Sequence, residues 1–188
     1  MTEVIGDFTG GPEQAQEGLE LTFSPSSVPL KQRWRNNGLS ADFLADYVTT
    51  FFPRDEKDPG SQARQQEIRG AVNYIANELL ENAMKYSEEH LAHPTTIRLV
   101  LAEDALLFTG TNAASGERGR AFLGFVRELA ASDPGEMYVR QLERSAETGG
   151  SGLGLLTMIN DYGARLAWRF EELADGGMWV TTQVRLDI

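Results

Sequence analysis

The sequence predicts a two-layer α/β (α+β) sandwich, with a mixed, mainly antiparallel sheet and helices on one face. Three patterns carry that reading. Ile68, Val72, Ile75, Leu79, Ala83 and Tyr86 recur at steps of three and four over about Gln62–Tyr86, the spacing of one buried helical face. Two β-rich runs, Thr95–Leu101 and Ala105–Thr111, are joined by Ala102-Glu-Asp-Ala105, short enough for a hairpin. A second pair, Ala164–Glu172 and Met178–Ile188, flanks the turn residues Asp175-Gly-Gly177.

The remaining elements follow in order. Residues 1–18, rich in Gly, Glu and Gln, offer little to bury and are expected to form a flexible tail. A single domain is expected over 19–188, opening with a short strand at Leu19–Phe23 that Ser24-Pro-Ser-Ser-Val-Pro29 closes. A helix is expected from about Pro29 toward Phe52. Asn36-Asn-Gly-Leu-Ser40 interrupts it, and Ser40 is placed to cap a second half. Pro53–Gly60 is a charged loop ahead of the long amphipathic helix. Between the two hairpins lie helical stretches at about 118–131 and 136–146, within an expected lid over about 113–148. Gly149–Gly154 then leads into a helix ending at Tyr162, with Gly163 suited to a left-handed C-terminal cap.

Composition narrows the function. The 188 residues suffice for a buried core, and 41% hydrophobic with 24% charged residues is usual for a water-soluble domain. The net charge of -11, from 17 basic against 28 acidic residues, argues against nucleic acid as a partner. With no cysteine, disulfides, iron–sulfur clusters and thiol catalysis are excluded; with His90 and His93 as the only histidines, so is a histidine-rich metal site. No apolar run approaches the roughly 20 residues of a bilayer span. The N-terminus lacks the basic start and apolar stretch of a signal peptide, so no membrane association and a cytoplasmic location are expected.

Candidate chemistry begins on the long helix, in Glu78-Leu-Leu-Glu-Asn-Ala-Met-Lys-Tyr-Ser87. At about 100° per residue, Glu78, Asn82 and Lys85 fall within roughly 60° of one another, bordering the apolar face. There a carboxylate can take a proton from a hydroxyl or water. An Asn carbonyl can join phosphates and waters around Mg²⁺. An ammonium can meet a phosphate as a point charge. The same pattern also fits an ordinary solvated helix face; Asn82 in a helix interior, a mild propensity penalty, leans toward function.

Gly149, Gly150, Gly152 and Gly154 precede the apolar run Leu155-Leu-Thr-Met-Ile159. Glycines let backbone N–H groups approach an anion, and a helix N-terminus adds a favourable dipole. A flexible linker or a helix cap would use the same residues. The segment is neither a Walker loop, which would need Gly-Lys-Ser/Thr, nor a dinucleotide fingerprint, which would follow a strand.

Together these two runs resemble signature boxes of the GHKL superfamily, which contains gyrase, Hsp90, MutL and histidine-kinase ATP-binding domains. Glu78-Leu-Leu-Glu-Asn-Ala-Met-Lys-Tyr resembles the N box and Gly150-Ser-Gly-Leu-Gly-Leu155 the G2 box. The order of elements from about Leu19 to Ile188 is similar as well. The resemblance implies a Bergerat-type pocket for ATP and Mg²⁺. Glu78 would stand at the general-base position, Asn82 at the Mg²⁺ position, and Lys85 beside a phosphate. Gly150, Gly152, Leu153 and Gly154 would lie along the phosphates. The G1 box, Asp-x-Gly-x-Gly in the family, here reads Asn112-Ala-Ala-Ser-Gly116. Only Gly116 survives, and Asn112 replaces the adenine-reading Asp. An uncharged acceptor gives adenine a weaker hydrogen bond, a loss of about 1–2 kcal/mol.

A histidine kinase carries a phosphoacceptor His on a dimerising helix, whereas His90 and His93, beside Pro94, are expected in a loop. The chain most resembles the small stand-alone anti-sigma-factor serine kinases and the related SiaB-type kinases of bacterial partner-switching modules. That resemblance implies transfer of the ATP γ-phosphate to Ser or Thr of a STAS-domain partner. The alternative is a non-catalytic regulator, binding nucleotide weakly or not at all, that sequesters its partner. Phe122, Leu123, Phe125 and Val126 in the lid are expected to pack on the core, to close over the nucleotide or to offer a partner surface. Trp34, Phe43 and Tyr47 are expected in the core or at a homodimer face.

Overall fold

Leu166, Val184, Phe108 and Leu99 stand side by side across four neighbouring strands, and all four belong to one apolar cluster. Strand alternation puts such residues on one face of the sheet, where helices cover them. A computed structural model describes residues 2–9, 17–24, 34–55, 57–87, 93–148 and 152–188 of this arrangement. The described elements run β1 (Thr2–Ile5), β2 (Glu17–Phe23), α1 (Trp34–Thr49), α2 (Pro59–Tyr86), β3 (Thr95–Leu101) and β4 (Ala105–Ala114). There follow α3 (Gly116–Ala131), α4 (Pro134–Thr148), α5 (Leu153–Asn160), β5 (Arg165–Glu172) and β6 (Met178–Asp187). The six strands lie in the order β1-β5-β6-β4-β3-β2, and every neighbouring pair is antiparallel. The expected α+β sandwich is what forms. Among the described residues no helix is long and apolar enough to cross a membrane.

The long helix forms for the reason its periodicity gave. Ile68, Val72, Ile75, Leu79 and Ala83 are all buried, against β3 and β4. Each large apolar side chain removed from water there is worth about 1.5–3 kcal/mol. The helix starts at Pro59, three residues before its expected start, because Asp58 caps it by accepting from the Gly60 N–H at 2.9 Å, with Pro59 in the first turn. Gly163 takes the expected positive φ of +63°, and the Ala164 N–H returns to the Met158 carbonyl at 2.9 Å.

Three expectations need correction. The tail expected over 1–18 contains structure: Thr2–Ile5 is an edge strand on β5, and Glu17–Gly18 already belong to β2. Arg127 of α3 clamps Glu3 with two bonds, at 2.8 and 2.7 Å. Beyond β1, the Thr9 N–H donates to Gln183 Oε1 at 2.9 Å, while Gln183 Nε2 donates to the Thr9 carbonyl at 2.8 Å. The break expected at Asn36–Ser40 is absent, since α1 runs through it and Ser40 caps nothing. Burial of Ala41, Leu44, Ala45 and Val48 against α2 outweighs the roughly 1 kcal/mol penalty of one helical glycine at Gly38. Finally, β4 continues to Ala114 rather than Thr111, because Asn112, Ala113 and Ala114 pair with Val180, Trp179 and Met178.

Candidate functional site

A cleft open to solvent lies between α2, strands β4 and β6, and α3. Asn82 and Tyr86 of α2, Asn112 of β4, Thr182 of β6, and Arg118 and Phe122 of α3 contribute to its walls. Leu79, Ala83 and Val180 make its deeper surface apolar. Such a shape, apolar with a few convergent polar groups, suits a small organic ligand.

Glu78 lies one helical turn before Asn82 and is half-buried. Its carboxylate presses on α5. A Cβ built on Gly154 would overlap Glu78 Oε2 and stand 2.6 Å from Cδ. The two runs singled out in the sequence thus meet in space through Glu78 and Gly154. Burial pushes the Glu78 carboxyl above its ordinary range, and the nearby Glu81 charge pushes the same way. Beside it, Tyr74 stacks on Tyr162 with ring centroids 5.0 Å apart. Burial raises the Tyr74 phenol, opposed by a hydrogen bond with Thr157 of α5.

Asn112 sits inside the β4–β6 ladder opposite Val180, with only 7% of its surface exposed. Its Nδ2 is buried and has no hydrogen-bond partner among the described residues. Buried polar groups are nearly always paired, so an orphaned amide in a cleft wall points to a ligand.

The other expected residues divide. Gly152 caps α5 with φ +133° and no side-chain cap, leaving the first N–H groups of that helix without one. Leu153 opens α5 and is half-buried. Gly150 lies outside the described residues, as do Gly149 and His90. Lys85 is exposed, its Nζ 5.3 Å from the Tyr86 ring centroid, and forms no part of the cleft wall. Gly116 serves packing: a Cβ there would stand 2.5 Å from the Gly176 carbonyl and 3.1 Å from Arg120. His93 lies outside regular structure, 3.6 Å from Asp175.

Among the described residues no three His, Asp or Glu side chains gather as a metal site. Asn82, which lines the cleft, nonetheless suits Mg²⁺ that arrives with phosphate oxygens and its own waters, since that ion needs few protein ligands. Arg118 and Thr182 were not singled out in the sequence. A Ser115 cap three residues ahead marks Arg118 as first-turn, but no local signal points Thr182 at a cleft. Phe122 is half-buried, its ring 5.8 Å from Tyr86 and 6.0 Å from Phe170, while Val126 and Leu129 are buried. α3 thus packs on the core and walls the cleft at once.

No family model matches this chain, and neither does any curated protein. Among solved structures it is similar to a chain of the SiaB–SiaC complex from Pseudomonas aeruginosa, with a TM-score of 0.60 and 19% identity. The match covers 88% of this chain and 89% of that one. The chain therefore has a SiaB-like fold over nearly its whole length.

Proposed function

We propose that this chain is an ATP-binding regulator of a bacterial partner-switching system, acting in the cytoplasm as a protein serine/threonine kinase on a STAS-type partner. The observation that carries the reading is the contact of Glu78 with Gly154, one turn from an Asn82 that faces the cleft. The fold shared with a chain from a two-protein complex supports a protein partner.

In this reading the base of ATP enters the apolar cleft against Asn112, and its phosphates run toward Gly152, Leu153 and Gly154. Asn82 would hold Mg²⁺ through its carbonyl oxygen, and the ion would neutralise phosphate charge. Glu78 accepts the proton of the partner's Ser or Thr hydroxyl. That oxygen bonds to the γ-phosphorus as its bond to the bridging oxygen breaks, and ADP leaves with the electron pair. A carboxyl pushed upward by burial is a stronger base than an ordinary Glu.

Calorimetric titration with ATP, with and without Mg²⁺, tests the first half; labelled γ-phosphate transfer to STAS-domain proteins from the same genome tests the second. Glu78→Gln should keep binding and lose transfer. Full transfer by that variant would remove the base role.

A second reading, a non-catalytic regulator acting by sequestration, draws on two observations. Asn112 offers no charge to an adenine amino group, and Leu39 and Phe43 of α1 stand 69% and 53% exposed as an apolar surface for a partner or a second copy. Absence of heat with millimolar ATP would favour it.

A further inference from the structure

This inference rests on the nucleotide reading above and concerns which base the cleft reads. Strand pairing sets Asn112 inside a buried wall, 93% of its surface covered, with an Nδ2 that has no partner among the described residues. Around it lie the apolar surfaces of Leu79, Ala83 and Val180, which suit a flat ring. Thr182, the other buried polar side chain in that wall, carries a hydroxyl that both donates and accepts, so it discriminates little.

We propose that Asn112 makes this cleft accept 6-oxopurine nucleotides, such as GTP and ITP, as well as ATP. A carboxamide presents one donor and one acceptor side by side. Toward adenine, Oδ1 accepts from the 6-amino group and Nδ2 donates to N1. Toward guanine or hypoxanthine, the amide turned by 180° lets Nδ2 donate to O6 while Oδ1 accepts from N1–H. Either orientation satisfies the buried donor, and the half-turn costs only rotation about one side-chain bond. A carboxylate at this position could accept from the adenine amino group but would set lone pairs against O6. The residue type at position 112 therefore decides whether an oxygen at purine C6 is tolerated.

The test is calorimetric titration of the whole chain with Mg-ATP, Mg-GTP and Mg-ITP, for the wild type, Asn112→Asp and Asn112→Ala. Wild-type dissociation constants for the three are expected within about tenfold of one another. Asn112→Asp is expected to keep ATP within about tenfold and weaken GTP and ITP by about 100-fold, the scale of one buried polar group left unsatisfied. Asn112→Ala should weaken all three alike. ATP binding without measurable GTP or ITP binding by the wild type overturns this inference and leaves the nucleotide reading standing. So does GTP affinity unchanged in Asn112→Asp. Binding of none of the three overturns both. If the Asp variant does not fold, the wild-type comparison still decides.

Discussion

The Glu78 carboxylate lies against the Cα of Gly154, so the second residue of α5 has no room for a methyl group. The atoms nearest such a methyl group all belong to the Glu78 side chain, whose end is flexible and half-buried. Gly154→Ala therefore pushes the carboxylate aside at a cost at or below about 1 kcal/mol, the low end for overpacking. A base displaced by about 1 Å loses on the order of 100-fold in rate. The variant should therefore fold with a urea midpoint little changed and transfer phosphate at about 1% of the wild-type rate. Undiminished transfer would show that the Glu78 position is immaterial.

Alanine has the opposite effect at Gly70 and Gly124. Both are exposed in helix interiors, and a Cβ at either meets nothing within 4 Å. Each substitution should raise the unfolding free energy by about 0.5–1 kcal/mol, chiefly by restricting the unfolded chain. Urea unfolding of the double variant gives a sum, because the sites share no neighbours. A lower midpoint would contradict the open surroundings at these positions.

Glu78 also ties stability to pH. Its carboxyl is raised in the folded chain by burial first and by Glu81 second. The folded state thus holds this proton more tightly than the unfolded state, so its contribution favours folding at low pH. That contribution is fully present below the ordinary value of 4.5 and is lost as pH rises through the raised value. Glu78→Gln, which carries no charge, removes the loss. Above that window the variant should be more stable than wild type, and the gap should close toward pH 4. Transfer by the wild type follows the opposite course, rising with pH as the base ionises. A gap independent of pH would place the cause elsewhere.

Much of this was legible from spacing alone. Periodicity gave α2 its buried face, and Asp175-Gly-Gly177 announced the last hairpin, where Asp175 Oδ1 accepts from the Gly177 N–H at 3.0 Å. The pairing of the two signature runs was legible through their resemblance. What failed has physical reasons. β1 is four residues held by ladder bonds and an Arg127–Glu3 clamp 124 positions away, which no local window contains. The continuity of α1 across Gly38 comes from packing on α2. Lys85 shares the Glu78 stripe on a helical wheel but points outward, because a stripe of roughly 60° straddles the edge between cleft and solvent. Thr182 faces the cleft only because the β4–β6 register sets it opposite Gly110.

Phe122 is where packing and binding can be separated. Its ring lines the cleft and lies within 6.2 Å, centroid to centroid, of Phe125, Phe170 and Tyr86. Truncating a fully buried Phe costs about 3–5 kcal/mol, and this half-buried ring should cost about 2 kcal/mol. Phe122→Ala should therefore lower the urea midpoint clearly without unfolding the chain. If α3 supplies a wall for the nucleotide base, the same change removes a stacking surface and weakens ATP by about tenfold, the worth of one aromatic contact. Phe122→Leu, which keeps most of the volume, should recover stability while leaving affinity low. Lowered stability with unchanged ATP affinity would instead make Phe122 a roof timber of the fold alone, and α3 a helix packed on the core with no part in holding the base.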